Sequence, residues 1–416
     1  MINVCVIRKR LSNNFPALKE KNFRYFWIGQ CVSLVGTWMQ RTAQQWLVYS
    51  LTKSSLLLGI LGVVQFTPML IFSLFAGVFI DRFNKKRVLI VTQSILMLLA
   101  FILSFLVWSG EVRYWHILVL AGIMGFVNTV DMPTRQSFIP EIVEKGSMVN
   151  AIGLNSSVVN VARILGPAVA GYVMVQFGSA LCFFFNGISF MAVILGIVLI
   201  KPTHLYMRKQ IGNVFLGVSE GIKYIRSNNI ILAAMLSMFA VGTFSMNSDV
   251  IIPAFAKVVL HQEASGYSIL LSVMAIGSFV GAVTVATRAR KGPSKKLLYG
   301  SSILVCFFQI VLLFAHSYVI SVVLLVVLGF FTVVFITSVN STIQLNTSND
   351  YRGRVMSVYT LAFNGTTPIG NLYAGDITEK FGPNLGFFSC GFITLVLVMV
   401  VIGLFKVSVF SNTKSK

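Results

Sequence analysis

Residues 77–87, with the sequence GVFIDRFNKKR, separate two long apolar runs. Within these eleven residues lie a glycine, Gly77, an aspartate, Asp81, and four cations. Apolar residues dominate about 20 positions on either side, which is the length that a helix needs to cross ~30 Å of hydrocarbon. Because each crossing of a bilayer must end in a polar turn, the segment predicts a protein that crosses a membrane repeatedly.

The composition of the chain also indicates a membrane protein. Of the 416 residues, 56% are hydrophobic and only 11% are charged, whereas soluble domains carry about 25% charged residues. The formal net charge of +21 would favour nucleic-acid binding in a soluble protein. In a membrane protein, cations retained on the cytoplasmic side explain the same charge. We therefore expect the lipid bilayer, and no nucleic acid, as a partner.

Twelve apolar runs are predicted to form transmembrane helices. They lie at residues 24–50, 56–80, 88–108, 115–133, 149–175, 180–200, 229–252, 266–287, 297–315, 318–340, 355–376 and 385–405. If the N-terminus is cytoplasmic, 27 of the 33 Lys and Arg residues fall on the cytoplasmic side and four fall outside. This bias predicts an even number of spans, with both termini in the cytoplasm.

The chain divides into two predicted six-helix halves, residues 1–200 and 229–416, joined by a linker at 201–228. The linker contains VFLGVSEGIKYI, and the helical spacing of its apolar residues predicts an amphipathic helix on the membrane surface. One offset of 204 residues aligns Ser33 with Ser237, Gly77 with Gly281, Gly125 with Gly329, Asn160 with Asn364, Gly166 with Gly370 and Gly171 with Gly375. Parallel six-helix repeats around a substrate path are a known transporter plan.

Polar side chains follow one face of the first predicted helix, at Ser33, Thr37, Arg41 and Gln44, with Gln45 beside them. Steps of three and four residues place side chains on the same face of a helix. Polar residues in membrane helices usually face a bundle interior or a water-filled cavity. The stripe therefore predicts part of a cavity lining.

The seventh predicted helix carries a second polar stripe, which ends in Ser248 and Asp249. At the offset of 204 residues, Asp249 corresponds to Gln45. Arg41 and Asp249 are the opposite charges on the two stripes. Either they line a cavity as an ion pair or proton site, or they form a buried pair that only fixes packing.

The fifth predicted helix places Asn160, Arg163 and Pro167 on one face, with Gly166 and Gly171 close by. An unpaired arginine at this depth costs a few kcal/mol, so Arg163 needs an acid, carbonyls, water or an anionic substrate. The two glycines and the proline leave a small, kinkable surface that predicts a hinge or a close helix contact. Asn364, which aligns with Asn160, is placed in the same predicted substrate or proton cavity.

Asp131 and Arg135 are four residues apart at the inner end of the fourth predicted helix. Since such a pair can form along one helical face, we expect a structural or gate role for it. A coupling carboxylate must be protonated in one state and ionised in another. Asp249 is the first candidate for that role, because it is the carboxylate best placed within a span, and Asp131 is the second.

Several chemical classes lack their motifs. The sequence has no G-x-x-x-x-G-K-[ST] phosphate loop, no G-x-S-x-G elbow and no His/Cys/Asp cluster with metal spacing. The five cysteines show no recognisable pairing pattern. We therefore expect neither an ATPase nor another enzyme, no metal and no cofactor.

The loop at 77–87 resembles the signature of the major facilitator superfamily, G-x-x-x-D-R-x-G followed by basic residues. The matching residues are Gly77, Asp81, Arg82, Lys86 and Arg87. Asn84 stands where the family usually has glycine, and asparagine tolerates the left-handed conformation better than most residues. The segments NFRYFWIGQCVSLVGTWMQRTAQQWLVYSLT, PTRQSFIPEIV, NVARILGPAVAG and RGRVMS resemble prokaryotic drug-type exporters, including the enterobactin-exporter-like and macrolide-efflux-like branches.

The resemblance implies an all-α fold of two pseudo-symmetric six-helix halves in a bacterial inner membrane, with alternating access driven by a proton gradient. It implies that Gly77 lets the second helix lie close to the eleventh. It also implies that Asp81 caps the next helix or pairs with Arg135 at an inner gate, together with Asp131. The loop cations Arg82, Lys86 and Arg87 would then anchor the loop to anionic headgroups.

The sequence thus predicts a proton-coupled exporter of a small amphipathic molecule, such as a drug, macrolide or siderophore, which acts as a monomer. An importer or symporter of the same fold is the first alternative. The second is a membrane sensor or assembly partner that transports nothing.

Overall fold

A computed structural model describes residues 15–201, 214–288 and 295–405, except for the side chains of 73–79, 81, 82, 145, 214–217 and 364. All regular structure in the described part is helical. The first half contains α1 Lys21–Thr52, α2 Ser55–Arg82, α3 Lys85–Trp108, α4 Tyr114–Ile142, α5 Met148–Phe177 and α6 Ser179–Leu199. The remainder contains α7 Val214–Ser227, α8 Asn229–Phe244, α9 Ser248–Ala254, α10 Ala264–Arg288, α11 Lys295–Val311, α12 Tyr318–Asn346, α13 Asn349–Gly365, α14 Thr367–Phe381 and α15 Pro383–Leu404.

Ten helical stretches of the described part are long and apolar enough to cross a membrane. The predicted first and eleventh spans are outside this set, although their helices are present. Helix α1 has 32 residues, about 48 Å at 1.5 Å per residue, so its length suffices. Its polar stripe lowers its hydropathy. The eleventh span is divided into α13 and α14, of 17 and 15 residues.

Two spans that the sequence predicted as continuous helices, 229–252 and 355–376, are broken. Helix α8 ends at Phe244 and α9 begins at Ser248. In the turn between them, Asn247 Nδ2 donates a hydrogen bond of 2.6 Å to the carbonyl of Thr243. The side chain thus occupies the carbonyl that the backbone N–H four residues later normally uses. In the eleventh span, Pro368 lies at the start of α14 and has no N–H to continue the ladder.

Contacts between Cα atoms divide the chain into two compact units. The first comprises Met1–Gln44 and Ile71–Ile211, and the second comprises Gln45–Leu70 and Gly212–Lys416. In the first unit, the core includes Phe26 and Phe138, whose rings meet edge to face at 6.1 Å.

The second unit is held together by close helix contacts at glycine. A Cβ on Gly281 of α10 would lie 2.6 Å from the carbonyl oxygen of Phe330 in α12. A Cβ on Gly277 would collide with the carbonyl of Val326, and one on Gly329 would collide with that of Met274. Glycines spaced four apart let two membrane helices approach backbone to backbone. These two helices therefore form a rigid pair.

The predicted linker helix is present as α7, but its apolar face is packed against protein. Ile225 is buried in the same core cluster as Val355 of α13. The rings of Tyr224 and Tyr351 stack at 4.6 Å. The N–H of Ser348 donates to Tyr224 Oη, which lowers the pKa of that tyrosine. The face expected to enter the membrane surface thus docks on α13.

Candidate functional site

The polar stripe of α1 is only partly buried, since Thr37 is exposed and Arg41 is half-buried. Ser33 and Gln44 are buried, and Thr37 Oγ1 donates to the carbonyl of Ser33 at 2.9 Å. Gln40, which the sequence did not single out, accepts a hydrogen bond of 2.7 Å from Asn186 of α6. Gly36, also on α1, supports this contact, because a Cβ there would lie 2.6 Å from Asn186 Oδ1. Helix α1 is therefore tied to α6 by Gly36 and Gln40.

The two arginines of the predicted cavity in the first unit lie at one tryptophan. The guanidinium carbon of Arg41 is 5.2 Å from the ring centroid of Trp38, and that of Arg163 is 5.1 Å from it. Both distances are within cation–π range. The arrangement concentrates positive charge around one half-buried indole ring. It forms a spot that suits a group carrying both negative charge and an aromatic or apolar surface.

Helix α5 reaches this spot through its glycine and proline. A Cβ on Gly166 would collide with the Cβ of Trp38 and would lie 3.0 Å from the backbone nitrogen of Met39. Pro167 follows inside the helix, and both it and Gly171 are buried. About two turns earlier in α5, Asn160 Nδ2 donates to the carbonyl of Ser156 at 2.9 Å. The predicted hinge residues thus begin where α5 crosses α1.

The second unit contains an equivalent crossing. A Cβ on Gly370 of α14 would collide with the carbonyl of Thr243 in α8, and would lie 2.5 Å from Asn247 Nδ2. Gly370 and Thr243 are each 204 residues after Gly166 and Met39. The sequence offset of 204 residues therefore pairs the glycine crossing of the first unit with that of the second. In the second unit the crossing coincides with both helix breaks.

Polar atoms without a hydrogen-bond partner lie at the break between α8 and α9. Asn247 is 2% exposed and Ser248 is 5% exposed. Neither Asn247 Oδ1 nor Ser248 Oγ has a hydrogen-bond partner among the described residues. Asp249 follows in the first turn of α9 and is half-buried. The sequence placed Asp249 here but missed Asn247, although the run S-M-N-S-D is a recognisable turn signal.

Two hydrogen bonds between Ser245 and Gln309 support this break in the second unit. Ser245 Oγ donates to Gln309 Oε1 at 2.7 Å, and Gln309 Nε2 returns a bond of 2.9 Å to the carbonyl of Ser245. Gln45 accepts a bond of 3.0 Å from Tyr267 Oη, and the Tyr267 ring stacks on Trp46 at 5.3 Å. Gln45 is thus bound to α10. The side chain of Asn364 lies outside the described residues.

Only part of the predicted gate motif lies within the described residues. The side chains of Asp81 and Arg82, and the surroundings of Gly77, lie outside the described residues. Asn84 has φ −66° and ψ 112°, so the expected left-handed conformation was wrong. Its side chain instead accepts from the N–H of Arg87 and caps α3. Asparagine fits here because it is a preferred N-cap residue.

Lys86 caps the C-terminal end of α6. Its ammonium group donates to the carbonyls of Val198 at 2.8 Å and Ile200 at 2.6 Å. A cation at this position also interacts favourably with the helix dipole. The backbone of Arg87 is held by Asn84, while its side chain is exposed.

Asp131 is 2% exposed and its carboxylate accepts four hydrogen bonds. Thr92 Oγ1 and Gln93 Nε2 donate to one oxygen, at 2.6 and 2.8 Å. Arg135 donates to the other through Nε at 3.2 Å and Nη2 at 2.6 Å. This set of donors fixes the carboxylate of Asp131 and positions α3 against α4.

Within the second unit, α2 lies close to α14 at Gly59 and Gly62. In the second unit, Cβ atoms on Gly59 and Gly62 of α2 would collide with Asn371 of α14. A Cβ on Gly375 would lie 2.7 Å from the carbonyl of Ser55. Glu379 Oε2 accepts from the N–H of Ser55 at 2.7 Å and caps α2.

Comparison with known proteins identifies the family. A family model described as transmembrane secretion effector matches residues 12–416. The chain belongs to this family of the major facilitator superfamily. It is therefore a multi-pass membrane transporter.

The curated relatives include transporters and efflux pumps. The chain is 24% identical to the staphyloferrin A transporter of Staphylococcus aureus, over 91% of this chain and 94% of that protein. It is 24% identical to the multidrug efflux pump Tap of Mycobacterium tuberculosis, with 90% of both chains covered. It is 22% identical to macrolide efflux protein A of Streptococcus pyogenes, over 91% and 94% of the two chains. The predicted resemblance to drug-type and macrolide exporters is thereby confirmed.

Solved structures show the same fold. The nucleoside transporter NupG superposes with a TM-score of 0.74 at 12% identity, over 93% of this chain and 100% of that chain. A bacterial homologue of the human lysosomal transporter Spinster gives a TM-score of 0.71 at 13% identity, over 92% and 96% of the two chains. The predicted all-α transporter fold is confirmed.

Proposed function

We propose that the protein is a proton-coupled exporter of a small amphipathic molecule, and that it works by alternating access. The observation that carries this proposal is the crossing of two broken spans at Gly370. Broken helices in transporters commonly form substrate and ion sites, because their ends expose backbone and polar groups inside the bundle. Here the break leaves Asn247 Oδ1 and Ser248 Oγ buried without partners among the described residues.

Asp249 is our first candidate for the proton-carrying group. It lies directly after the break, in the first turn of a helix of only seven residues. A short helix between a break and a π-helical turn at Phe255–Val259 can change its position without disturbing a long hydrogen-bond ladder. Such a movement changes the burial and the charges around the carboxylate, which are the factors that shift its proton affinity.

Asp131 fits a coupling role less well. Four hydrogen bonds tie its carboxylate to Thr92, Gln93 and Arg135. Protonation would disrupt bonds to Thr92, Gln93 or Arg135 and loosen α3 from α4. We therefore assign Asp131 to the structural framework and retain Asp249 for coupling.

The substrate class follows from the surroundings of Trp38. Two guanidinium groups at one indole ring favour an amphipathic molecule that carries a carboxylate or another anionic group. The relatives named as a staphyloferrin A transporter and a macrolide efflux protein support a siderophore or drug as the substrate. Among these, the charge at Trp38 favours an acidic siderophore-like molecule over a cationic drug.

The experiment measures transport into inside-out proteoliposomes, with and without a pH gradient, for an acidic siderophore, a macrolide and a cationic dye. We expect gradient-driven uptake of the acidic compound, loss of that uptake in Asp249→Asn, and normal uptake in Asp376→Asn. Asp376 is the matched control, since it is a half-exposed carboxylate paired with Lys380 on α14. Exchange between unlabelled and labelled substrate should survive in Asp249→Asn, because it needs no net proton movement.

Each opposing outcome has a distinct meaning. Uptake that is the same with and without the pH gradient refutes proton coupling. Unchanged uptake in Asp249→Asn shows that Asp249 is not the coupling residue. Uptake in right-side-out vesicles alone indicates an importer. If no compound moves at all, a sensor or assembly role replaces transport.

The orientation and oligomeric state belong to the same proposal. We place both termini in the cytoplasm of a bacterial cell and treat the monomer as the active form. Thiol labelling of single cysteines at Lys53 and Lys223 tests the orientation, since only the former should react from outside. Light scattering of the purified protein tests the monomer.

A further inference from the structure

The second unit contains a groove between α10, α11 and α12. Its cavity volume is about 190 Å³. The groove is lined by Thr284, Val285, Arg288, Lys296, Leu297, Gly300, Ser301, Leu304, Phe330, Phe331 and Val334. None of these residues belongs to the transport site proposed above, so the groove calls for a separate explanation.

The charge of the groove has one sign. Arg288 ends α10 and Lys296 lies in the first turn of α11, so two cations line one end. Among the lining residues of the described part there is no Asp or Glu. The N-terminal end of α11 adds partial positive charge in the same place. This end of the groove is therefore chemically suited to a phosphate group.

The remaining wall is apolar and aromatic. Phe331 stacks on Phe308 at 5.9 Å and meets Phe330 at 5.1 Å, which holds the rings in place. The close contact of Gly281 with Phe330 fixes α10 against α12 along the same wall. Val283 and Phe307, on the outer faces of α10 and α11, are about half exposed, as side chains that contact lipid would be. The groove thus combines a cationic end with an apolar wall, next to side chains that are exposed on the outer faces of α10 and α11.

We propose that this groove binds the headgroup and the upper acyl chain of an anionic phospholipid. Basic pockets between transmembrane helices bind acidic headgroups in this way. A free phosphate ion would use the cations but would leave the apolar wall unfilled. A zwitterionic lipid would fill the wall, but its headgroup carries a positive charge next to Arg288 and Lys296. An anionic lipid satisfies both parts of the groove.

The test uses the full-length protein purified in a neutral detergent. Its thermal unfolding midpoint is measured with phosphatidylglycerol, phosphatidylcholine or inorganic phosphate, and native mass spectrometry counts the lipids retained. We expect phosphatidylglycerol to raise the midpoint and to be retained about thirtyfold more tightly than phosphatidylcholine, the factor that two cations contribute near an anionic headgroup. Inorganic phosphate should have no comparable effect.

The double variant Arg288→Gln/Lys296→Gln should lose this preference. The matched control, Lys223→Gln/Arg226→Gln, removes two exposed cations from α7 and should keep it. Equal retention of phosphatidylglycerol by the double variant and the wild type would overturn the proposal. Equal stabilisation by phosphatidylcholine would do the same, and equal stabilisation by inorganic phosphate would show a free-anion site instead. If the double variant fails to fold, the single variant Arg288→Lys should fold and retain the preference for phosphatidylglycerol. Loss of that preference in Arg288→Lys would also overturn the proposal.

Discussion

The contact of Gly370 with Thr243 predicts a large effect for the smallest possible substitution. Gly370→Ala adds one methyl group where its position would coincide with a backbone carbonyl. The neighbouring atom cannot move aside as a flexible side chain can, because Thr243 O also accepts from Asn247 Nδ2. We therefore expect the upper part of the range for an overpacked core, about 3 kcal/mol.

Part of this cost is offset. Alanine in a helix is more stable than glycine by about 0.5–1 kcal/mol, so the net loss for Gly370→Ala is about 2 kcal/mol. The matched control is Gly353→Ala in α13, where nothing lies within 4 Å of the added Cβ. This control keeps the helix gain without the collision, which places the two variants about 3 kcal/mol apart.

The assay is reversible unfolding in mixed detergent micelles, followed by tryptophan fluorescence. Gly166→Ala serves as a second test, because its Cβ would collide with Trp38 at the equivalent crossing of the first unit. It should lose stability to a similar extent. If Gly370→Ala proves as stable as Gly353→Ala, the close crossing of α8 and α14 does not exist in solution, and the site built on it fails.

Three further substitutions test other parts of the site. Asp131→Asn leaves Arg135 without its carboxylate, and we expect the free energy of unfolding to fall by about 3–5 kcal/mol in the same assay. As a control, Asp376→Asn breaks the exposed pair of Asp376 with Lys380 and should lower it by less than about 1 kcal/mol. Lys86→Met removes the cap on the last carbonyls of α6, so amide exchange in its final turn should accelerate about fivefold, corresponding to about 1 kcal/mol. Trp38→Ala should raise the half-saturating concentration of an acidic substrate. Trp38→Phe should raise it less, because phenylalanine keeps an aromatic face for the two arginines. Transport measured at varied substrate concentration gives both values.

Most of the fold could be predicted from the sequence, because hydrophobic length and charge bias are properties of the chain itself. The apolar runs predict the positions of the helices, and the offset of 204 residues pairs Gly166 with Gly370. Their equivalence is structural: each glycine lies where the fifth helix of its half crosses the first. A glycine that recurs at the same offset predicts a close helix crossing, because only a residue without a side chain fits there.

The breaks could not be located with the same rules. Hydropathy averages over a window, so a turn of three residues inside a long apolar run leaves the average almost unchanged. The break after Phe244 depends on one side chain, Asn247, which takes the carbonyl of Thr243 from the backbone. Such competition is decided by local geometry and by the neighbouring Gly370, which comes from a distant part of the chain. The sequence therefore predicts a role for the charged residue Asp249 but not for the neutral residue Asn247, which forms the break beside it.

The two equivalent crossings have diverged in chemistry, and this divergence argues for a division of roles. In the first unit, α1 is continuous through the crossing and carries Trp38 with two guanidinium groups, which is a fixed surface suited to recognition. In the second unit, the helix at the equivalent position is broken and is followed by a seven-residue helix that carries Asp249. A continuous helix holds a binding surface in place, whereas a short helix between two interruptions can move its carboxylate between environments. We therefore propose, as part of the proposed function, that the first unit recognises the substrate and the second unit couples it to protons. Substitutions at Trp38 should accordingly change which substrates are transported, while substitutions at Asp249 should change only whether a pH gradient drives them.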